Sequence, residues 1–127
     1  MILVDTSAWV DFFRGKRGLA DQVDQALQSG EAALCGPVLT ELIRGLRTPA
    51  ERAQVMDLLE GCQLLEQPDR LWEEAGALGA YLKRKGATVK TLDLLIATYA
   101  LAHHAPILTA DSDFALMKRA GLPVELF

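Results

Sequence analysis

The stretch ILTADSDF, residues 107–114, is a short apolar run that ends in two carboxylates, Asp111 and Asp113, with one serine between them. An apolar run of this length, bounded by polar residues, is typical of a buried strand. A single acid directly after such a strand is commonly the N-cap of the next helix. Two acids fit a cap together with a cation site, and this stretch by itself is compatible with both interpretations.

The same pattern of a short apolar run followed by a helix recurs along the chain. Strands are predicted at residues 1–4, 32–35, 62–65, 107–109 and 124–126. Helices are predicted between residues 6 and 15, 19 and 28, 37 and 45, 49 and 61, 69 and 85, 91 and 102, and 113 and 120. This alternation predicts an α/β fold in which helices cover both faces of a parallel sheet. In such sheets ligands bind beyond the carboxyl ends of the strands.

Length and composition narrow the class of protein. A chain of 127 residues, half of them hydrophobic, predicts one domain over residues 1–127 with a substantial core. No apolar run approaches the roughly 20 residues of a membrane span, and the first residues lack the basic segment of a signal peptide. The two cysteines, Cys35 and Cys62, have no metal-binding spacing and are expected to be free thiols in the cytoplasm. The net charge of −4 argues against a general polyanion binder, so contact with nucleic acid would require a local basic patch.

Acidic residues stand at corresponding places in several of the predicted units. Asp5 follows the first strand and Asp111 follows the fourth, so both should lie at the same edge of the sheet. Glu41 lies in the first turns of the helix after the second strand, and Asp93 lies near the start of a nearly apolar helix. Each has an ordinary explanation by itself, such as a turn, a surface charge, a helix cap or a favourable interaction of about 0.3–1 kcal/mol with a helix N-terminus.

Four acids at one edge are not explained by capping. Carboxylates held close together repel one another and raise one another's pKa values. A divalent cation removes this repulsion, and a ligand set of oxygens without histidine or cysteine favours Mg²⁺ or Mn²⁺. The sequence therefore predicts a metal site at this edge of the sheet.

Four segments together resemble a known family: MILVDTSAWVDFF, TELIRG, LDLLIATYALAH and ILTADSDF. They are similar, in order and over essentially the whole chain, to the motif blocks of the PIN-domain ribonucleases, in particular the VapC toxins of type II toxin–antitoxin pairs. The resemblance implies a three-layer α/β/α sandwich with a central parallel sheet of four to five strands. It also implies an endoribonuclease that hydrolyses RNA phosphodiester bonds with Mg²⁺ or Mn²⁺, forms a homodimer and binds an antitoxin protein.

The resemblance also implies the site residues. The family's catalytic, metal-binding acids fall on Asp5, Glu41, Asp93 and Asp111. The expected roles are Asp5 and Asp93 as principal metal ligands, with Glu41 and Asp111 holding a second ion or a bound water.

A second set of residues is expected to support these acids. Asp113 matches a variable accessory acid that is expected to assist metal binding or to cap the last helix. The hydroxyls expected to orient the first aspartate or a bound water belong to Thr6, Ser7 and Thr109.

Basic and aromatic residues complete the expectations. RNA phosphates are expected to contact Arg44 first, and also Arg14 and Lys90. The adjacent residues His103 and His104 point about 100° apart on a helix, so they are interpreted as structural or surface residues. The largest aromatic residues, Trp9 and Trp72, are assigned mainly to the core, with packing against a partner helix as the alternative for Trp9 and a dimer interface as the alternative for the face of Trp72.

Alternatives from other classes fit less well. A response-regulator receiver requires an acidic pair after the first strand, where this chain has DTS. A DxD phosphatase requires its motif at the same place. A catalytically idle PIN-like protein that binds RNA or serves as a scaffold remains the main alternative, and it gives no reason to keep four repelling carboxylates together.

Overall fold

The structure, a computed structural model, describes residues 1–127. One parallel sheet in the order β3-β2-β1-β4 consists of β1 (Ile2–Val4), β2 (Ala32–Leu34), β3 (Gln63–Leu64) and β4 (Ile107–Leu108). The helices are α1 (Thr6–Phe13), α2 (Leu19–Gln28), α3 (Gly36–Arg44), α4 (Pro49–Leu59), α5 (Leu71–Arg84), α6 (Thr91–His103) and α7 (Ser112–Arg119). The predicted three-layer α/β/α architecture with a parallel sheet is confirmed.

The register of the sheet brings three chain segments to one edge. Strand β1 is central, with Leu3 opposite both Ala33 of β2 and Ile107 of β4. The Asp5 N–H donates to the Leu108 carbonyl at 2.9 Å, which extends the β1–β4 pairing to the last residue before α1. Because all strands run parallel, α1, α3 and α7 all begin at this edge, and side chains in their first turns converge there.

The core holds the strands and the inner faces of the helices. Trp9 of α1 and Phe114 of α7 are fully buried, as predicted for Trp9. Helix α6 is the most deeply buried helix and packs along α5, with apolar residues such as Ile96 and Ala97 inside. None of the seven helices combines the length and the apolar character needed to cross a membrane.

Two sequence predictions differ from the structure. The predicted strand at 124–126 is reduced to one bridge between Leu126 and Ile107, because backbone pairing on this side is limited to Ile107, which bonds the Glu125 carbonyl and the Phe127 N–H. The Trp72 side chain is 65% exposed and not in the core. The buried stripe of α5 contains Leu71, Ala75 and Leu82, and Trp72 lies about 100° around the helix from Leu71.

Candidate active site

Three carboxylates form the tightest acidic group at this edge. Asp93 lies in the first turn of α6, Asp111 is the N-cap of α7, and Asp113 lies in the first turn of α7. One oxygen from each carboxylate lies within 4.8 Å of the others. This group includes Asp113, which sequence analysis ranked as accessory, and does not include Asp5 or Glu41.

Asp111 uses its two carboxylate oxygens differently. Its Oδ1 accepts the Asp113 backbone N–H at 2.9 Å and so caps α7. Its Oδ2 faces the Lys90 ammonium at 3.4 Å. Partial burial by itself raises the pKa of Asp111, but the Asp113 N–H and the Lys90 charge outweigh it and hold that pKa below its usual value. Asp111 is therefore both the N-cap of α7 and a member of the acidic group. Capping of this helix, considered above for Asp113, is done by Asp111.

Asp93 is the most perturbed acid of the site. It is only 4% exposed, and its Oδ2 has no hydrogen-bond partner. Burial, followed by a hydrogen bond with the Asp113 carboxyl group and the charge of Asp111, raises the pKa of Asp93 to about 8. At neutral pH Asp93 of the metal-free protein is therefore mostly protonated, as expected for a buried carboxyl group close to other acids.

Lys90 lies against the same group. Its ammonium is 3.7 Å from Asp93 Oδ2 and 3.4 Å from Asp111 Oδ2. The charges of Asp93 and then Asp111 raise the pKa of Lys90. Lys90 is predicted from the sequence to contact RNA phosphate, and its two ion pairs are not predicted. The i, i+3 spacing of Lys90 and Asp93 at a helix start is a pattern that favours an ion pair between them.

Asp5 is held by two hydroxyl groups on one oxygen. Its Oδ2 accepts hydrogen bonds from Ser7 Oγ and from Thr109 Oγ1, both at 2.8 Å. Both hydroxyls also accept a backbone N–H of the β4–α7 loop, Ser7 Oγ from Ala110 and Thr109 Oγ1 from Asp111, at 2.9 Å each. The hydroxyls of Ser7 and Thr109 thus orient Asp5, the role expected for them, and also join the end of β1 to the end of β4, whereas Thr6 contacts Glu41 and not Asp5.

Glu41 is oriented from α1. Thr6 Oγ1 donates to Glu41 Oε1 at 2.7 Å, which joins α1 to α3 across 35 residues of sequence. The buried Cys35 thiol lies between the charged groups of this part of the site. Burial, and to a smaller extent the charges of Asp5 and Glu41, raises the pKa of Cys35 to about 12. Cys35 therefore stays a protonated, unreactive thiol, as predicted.

The arrangement fits a hard divalent cation. All ligand atoms in the group are carboxyl oxygens, and the buried Oδ2 of Asp93 has no hydrogen-bond partner. Such an oxygen is stabilised by a cation, and Mg²⁺ and Mn²⁺ prefer carboxylate ligands supplemented by water. The residues that would hold the ion are Asp93, Asp111 and Asp113, with Asp5 near enough for its charge to raise the pKa of Asp93 further.

The predicted RNA contacts Arg14 and Arg44 lie at the C-terminal ends of α1 and α3, whereas the acidic edge is where these helices begin. Arg44 ends α3, three residues after Glu41, and Arg14 caps the C-terminus of α1. Arg14 and Arg47 line a cavity of about 480 Å³ between α1 and α4, which adds Arg47 to the basic residues of this side. His103 lies at the far end of α6 from Asp93, with its Nε2 2.8 Å from the Glu66 carbonyl, in agreement with its structural interpretation.

Comparison with known proteins agrees with this geometry. The PIN-domain family profile matches residues 2–120. The chain belongs to the PIN-domain family. A VapC ribonuclease from Mycobacterium bovis and ribonuclease VapC11 from Mycobacterium tuberculosis are each 36% identical to it, over 94% of this chain and 92% of theirs. Among PIN domains, this one therefore groups with the VapC ribonucleases.

Solved structures of similar fold extend over the whole PIN domain. A chain of VapBC2 from Rickettsia felis, solved bound to promoter DNA, superposes with a TM-score of 0.78 at 21% identity, covering 100% of this chain and 98% of that one. A chain of VapBC-5 from Mycobacterium tuberculosis gives a TM-score of 0.66 at 28% identity, covering 99% of this chain and 96% of that one. The fold that holds the acidic group is therefore the VapC fold.

Proposed function

We propose that this PIN-domain protein is a Mg²⁺- or Mn²⁺-dependent endoribonuclease, the toxin of a type II toxin–antitoxin pair. The observation that carries the proposal is the buried, unpartnered Oδ2 of Asp93 within an all-carboxylate group. The relatives at 36% identity are named as ribonucleases, which supports the reaction. Both cysteines are free thiols, which suits action in the cytoplasm.

The chain's own residues prepare the site for phosphodiester hydrolysis. A divalent cation there would activate water and neutralise charge that develops on the phosphate. Asp93, Asp111 and Asp113 would hold it, and Ser7 and Thr109 fix the Asp5 carboxylate through hydrogen bonds to its Oδ2. Such fixed orientation contributes to rate because the ligands need no rearrangement when charge develops.

Glu41 and the hydroxyl of Thr6 form the other side of the proposed site. The short Thr6–Glu41 hydrogen bond occupies one carboxylate oxygen, so the other is available to a second ion or to a water molecule. Asp5 and Glu41 both act on the Cys35 thiol through their charges, which supports their placement around one common space.

RNA contact is assigned to four basic residues. Lys90 lies in the acidic site itself, Arg44 and Arg14 lie at the C-terminal ends of α3 and α1, and Arg47 shares a cavity with Arg14. These side chains supply the local positive charge that a protein of net charge −4 requires for phosphate binding.

Two protein partners complete the proposal. The antitoxin is supported by the similarity of the fold to toxin chains of VapBC complexes. The homodimer is supported by the exposed Trp72 at 65%, which lines a cavity of about 290 Å³ together with Leu92 and Leu95 of α6. Trp72→Ser should convert a dimer to a monomer in sedimentation equilibrium, whereas an unchanged mass would contradict a dimer through this face.

The test of the enzymatic proposal is Asp93→Asn with purified protein and a fluorescent RNA. Cleavage should require Mg²⁺ or Mn²⁺, stop in excess EDTA, and be lost in Asp93→Asn. The matched control is Asp57→Asn on the exposed side of α4, which should cleave at the rate of the unmodified protein. Full activity of Asp93→Asn would overturn the proposal. Metal-independent RNA binding without any cleavage would instead favour the idle, RNA-binding alternative.

A further inference from the structure

We propose that Lys90 is an internal counter-cation of the metal site. Its ammonium neutralises the acidic group in the metal-free protein and is displaced by the incoming divalent cation, so Lys90 weakens metal binding. This inference rests on the proposed metal-dependent nuclease function. The competition between the Lys90 ammonium and the divalent cation is assigned neither by the family resemblance nor by the relatives.

The ammonium and the metal would use the same oxygen atoms. Lys90 Nζ lies 3.4 Å from Asp111 Oδ2 and 3.7 Å from Asp93 Oδ2, between two members of the three-carboxylate group. The Asp93 Oδ2 atom is the one that has no hydrogen-bond partner. The ammonium at 3.7 Å is therefore an electrostatic neighbour of this oxygen and leaves its coordination position free.

Both cations cannot keep these positions together. A Mg²⁺ ion lies about 2.1 Å from its carboxylate ligands. An ion on Asp93 Oδ2 and Asp111 Oδ2 would lie within a few ångströms of the Lys90 ammonium, and like charges repel strongly at such a separation where one ligand is buried. Metal binding is therefore coupled to movement of the Lys90 side chain away from the acids.

The fold permits this movement. The Lys90 side chain is 70% exposed, and its only polar partners are the two acids. Its backbone is fixed as the N-cap of α6, where its carbonyl accepts the Leu94 N–H at 3.2 Å. A flexible four-carbon stem on a fixed anchor lets the ammonium leave the carboxylates without a change in the helix. The displaced charge stays at the rim of the site, where the proposed RNA phosphate would lie.

The experiment measures Mn²⁺ affinity by isothermal titration calorimetry and by electron paramagnetic resonance of free Mn²⁺, without RNA. Lys90→Met should bind Mn²⁺ about three- to thirtyfold more tightly than the unmodified protein, which corresponds to the loss of two partly exposed ion pairs. Lys90→Arg keeps the positive charge and should bind Mn²⁺ about as weakly as the unmodified protein. The matched control is Lys83→Met, which makes the same change in net charge on exposed α5 and removes no ion pair; it should leave the affinity within about twofold.

A second variant separates this inference from the proposed function. Asp93→Asn should abolish Mn²⁺ binding at the site. Loss of binding in Asp93→Asn together with equal or weaker binding in Lys90→Met would overturn the role of Lys90 and leave the metal site standing. Equal tightening in Lys83→Met would likewise overturn it, because the effect would then be one of net charge. Absence of Mn²⁺ binding in the unmodified protein would overturn both.

Discussion

Thr109 donates a 2.8 Å hydrogen bond to Asp5 Oδ2 across 104 residues of sequence, and this contact joins the ends of β4 and β1 at the acidic edge. The same hydroxyl accepts the Asp111 N–H at 2.9 Å. One side chain therefore sets the relative position of two acids from different strands. The acids at this edge are a connected structure and not a set of independent surface charges.

Removal of this hydroxyl should impair catalysis more than folding. In Thr109→Val the shape is kept and the charge-assisted hydrogen bond is lost, so kcat/KM for RNA should fall about tenfold. Thr109→Ser keeps the hydroxyl and should retain most of the activity. Circular dichroism should show an unchanged fold in both. A loss in Thr109→Ser as large as that in Thr109→Val would contradict this prediction, because serine keeps the hydroxyl group that bonds Asp5.

Metal affinity should depend on pH through Asp93. Its pKa of about 8 in the metal-free protein means that a proton must leave before the carboxylate can bind a cation. The apparent association constant for Mn²⁺ should therefore rise by close to tenfold per pH unit from about pH 6 and level off near pH 8. Calorimetry in buffers of different ionisation enthalpy should detect release of about one proton at pH 6.5. A constant affinity from pH 6 to 8 would be incompatible with this protonation state.

The same shift should appear in the stability of the metal-free protein. Because the pKa of Asp93 is raised from 3.8 to about 8 on folding, the native state binds more protons than the unfolded state between these values. The contribution of Asp93 to the free energy of unfolding is therefore full at low pH and is lost progressively as pH rises toward 8. At pH 7 without metal, the free energy of unfolding of Asp93→Asn should be about 1–3 kcal/mol greater than that of the unmodified protein.

Urea denaturation at pH 4.5 and 7, with EDTA present, measures this difference. The gap between the two proteins should shrink at pH 4.5, because this pH is close to the unfolded-state pKa of 3.8 and proton uptake by Asp93 on folding then costs much less free energy. Saturating Mn²⁺ should stabilise the unmodified protein alone. Greater stability of the unmodified protein at pH 7 in EDTA would contradict the assigned pKa shift.

Two glycines of α5 should respond in opposite ways to alanine. A Cβ at Gly79 would lie 2.9 Å from Leu94 Cδ1, next to Asp93, whereas a Cβ at Gly76 would meet nothing within 4 Å. Gly76→Ala should therefore raise the free energy of unfolding by about 0.5–1 kcal/mol. In Gly79→Ala the new methyl group must displace the packed Leu94 side chain. The free energy of unfolding should therefore fall by about 1 kcal/mol in spite of the higher helix propensity of alanine. Thermal denaturation of both variants measures the contrast, and equal stabilisation would show that the α5–α6 contact is loose.

The local sequence was sufficient for the order and kind of elements. Apolar runs bounded by acids predicted β1 and β4, and helical spacing with Pro or Gly at the ends predicted α3 and α5 within a few residues. These features could be predicted because strand and helix periodicity are properties of neighbouring residues. The strand predicted at 124–126 is wrong apart from one bridge, because backbone pairing with β4 depends on tertiary contacts that local periodicity does not describe.

The position of Trp72 illustrates a second limit of local reasoning. In sequence, Leu71 and Trp72 are adjacent apolar residues, and either is able to lie on the inner face of α5. Packing against α6 selected Leu71, which is 2% exposed, and left Trp72 outside. A rotation of about 100° separates the two, and only the neighbouring helix determines which faces inward.

By itself, the sequence determined the parallel α/β fold, the acids at one sheet edge and the preference for a hard cation, because these follow from periodicity and from the chemistry of carboxylates. Only the tertiary structure decided that Asp113 joins Asp93 and Asp111 within 4.8 Å and that Asp111 is both cap and candidate ligand. It also decided that Lys90 rests on the carboxylates of the proposed metal site. Distances between side chains on α6 and α7 depend on sheet register and helix packing, and these are set by contacts between residues far apart in the chain.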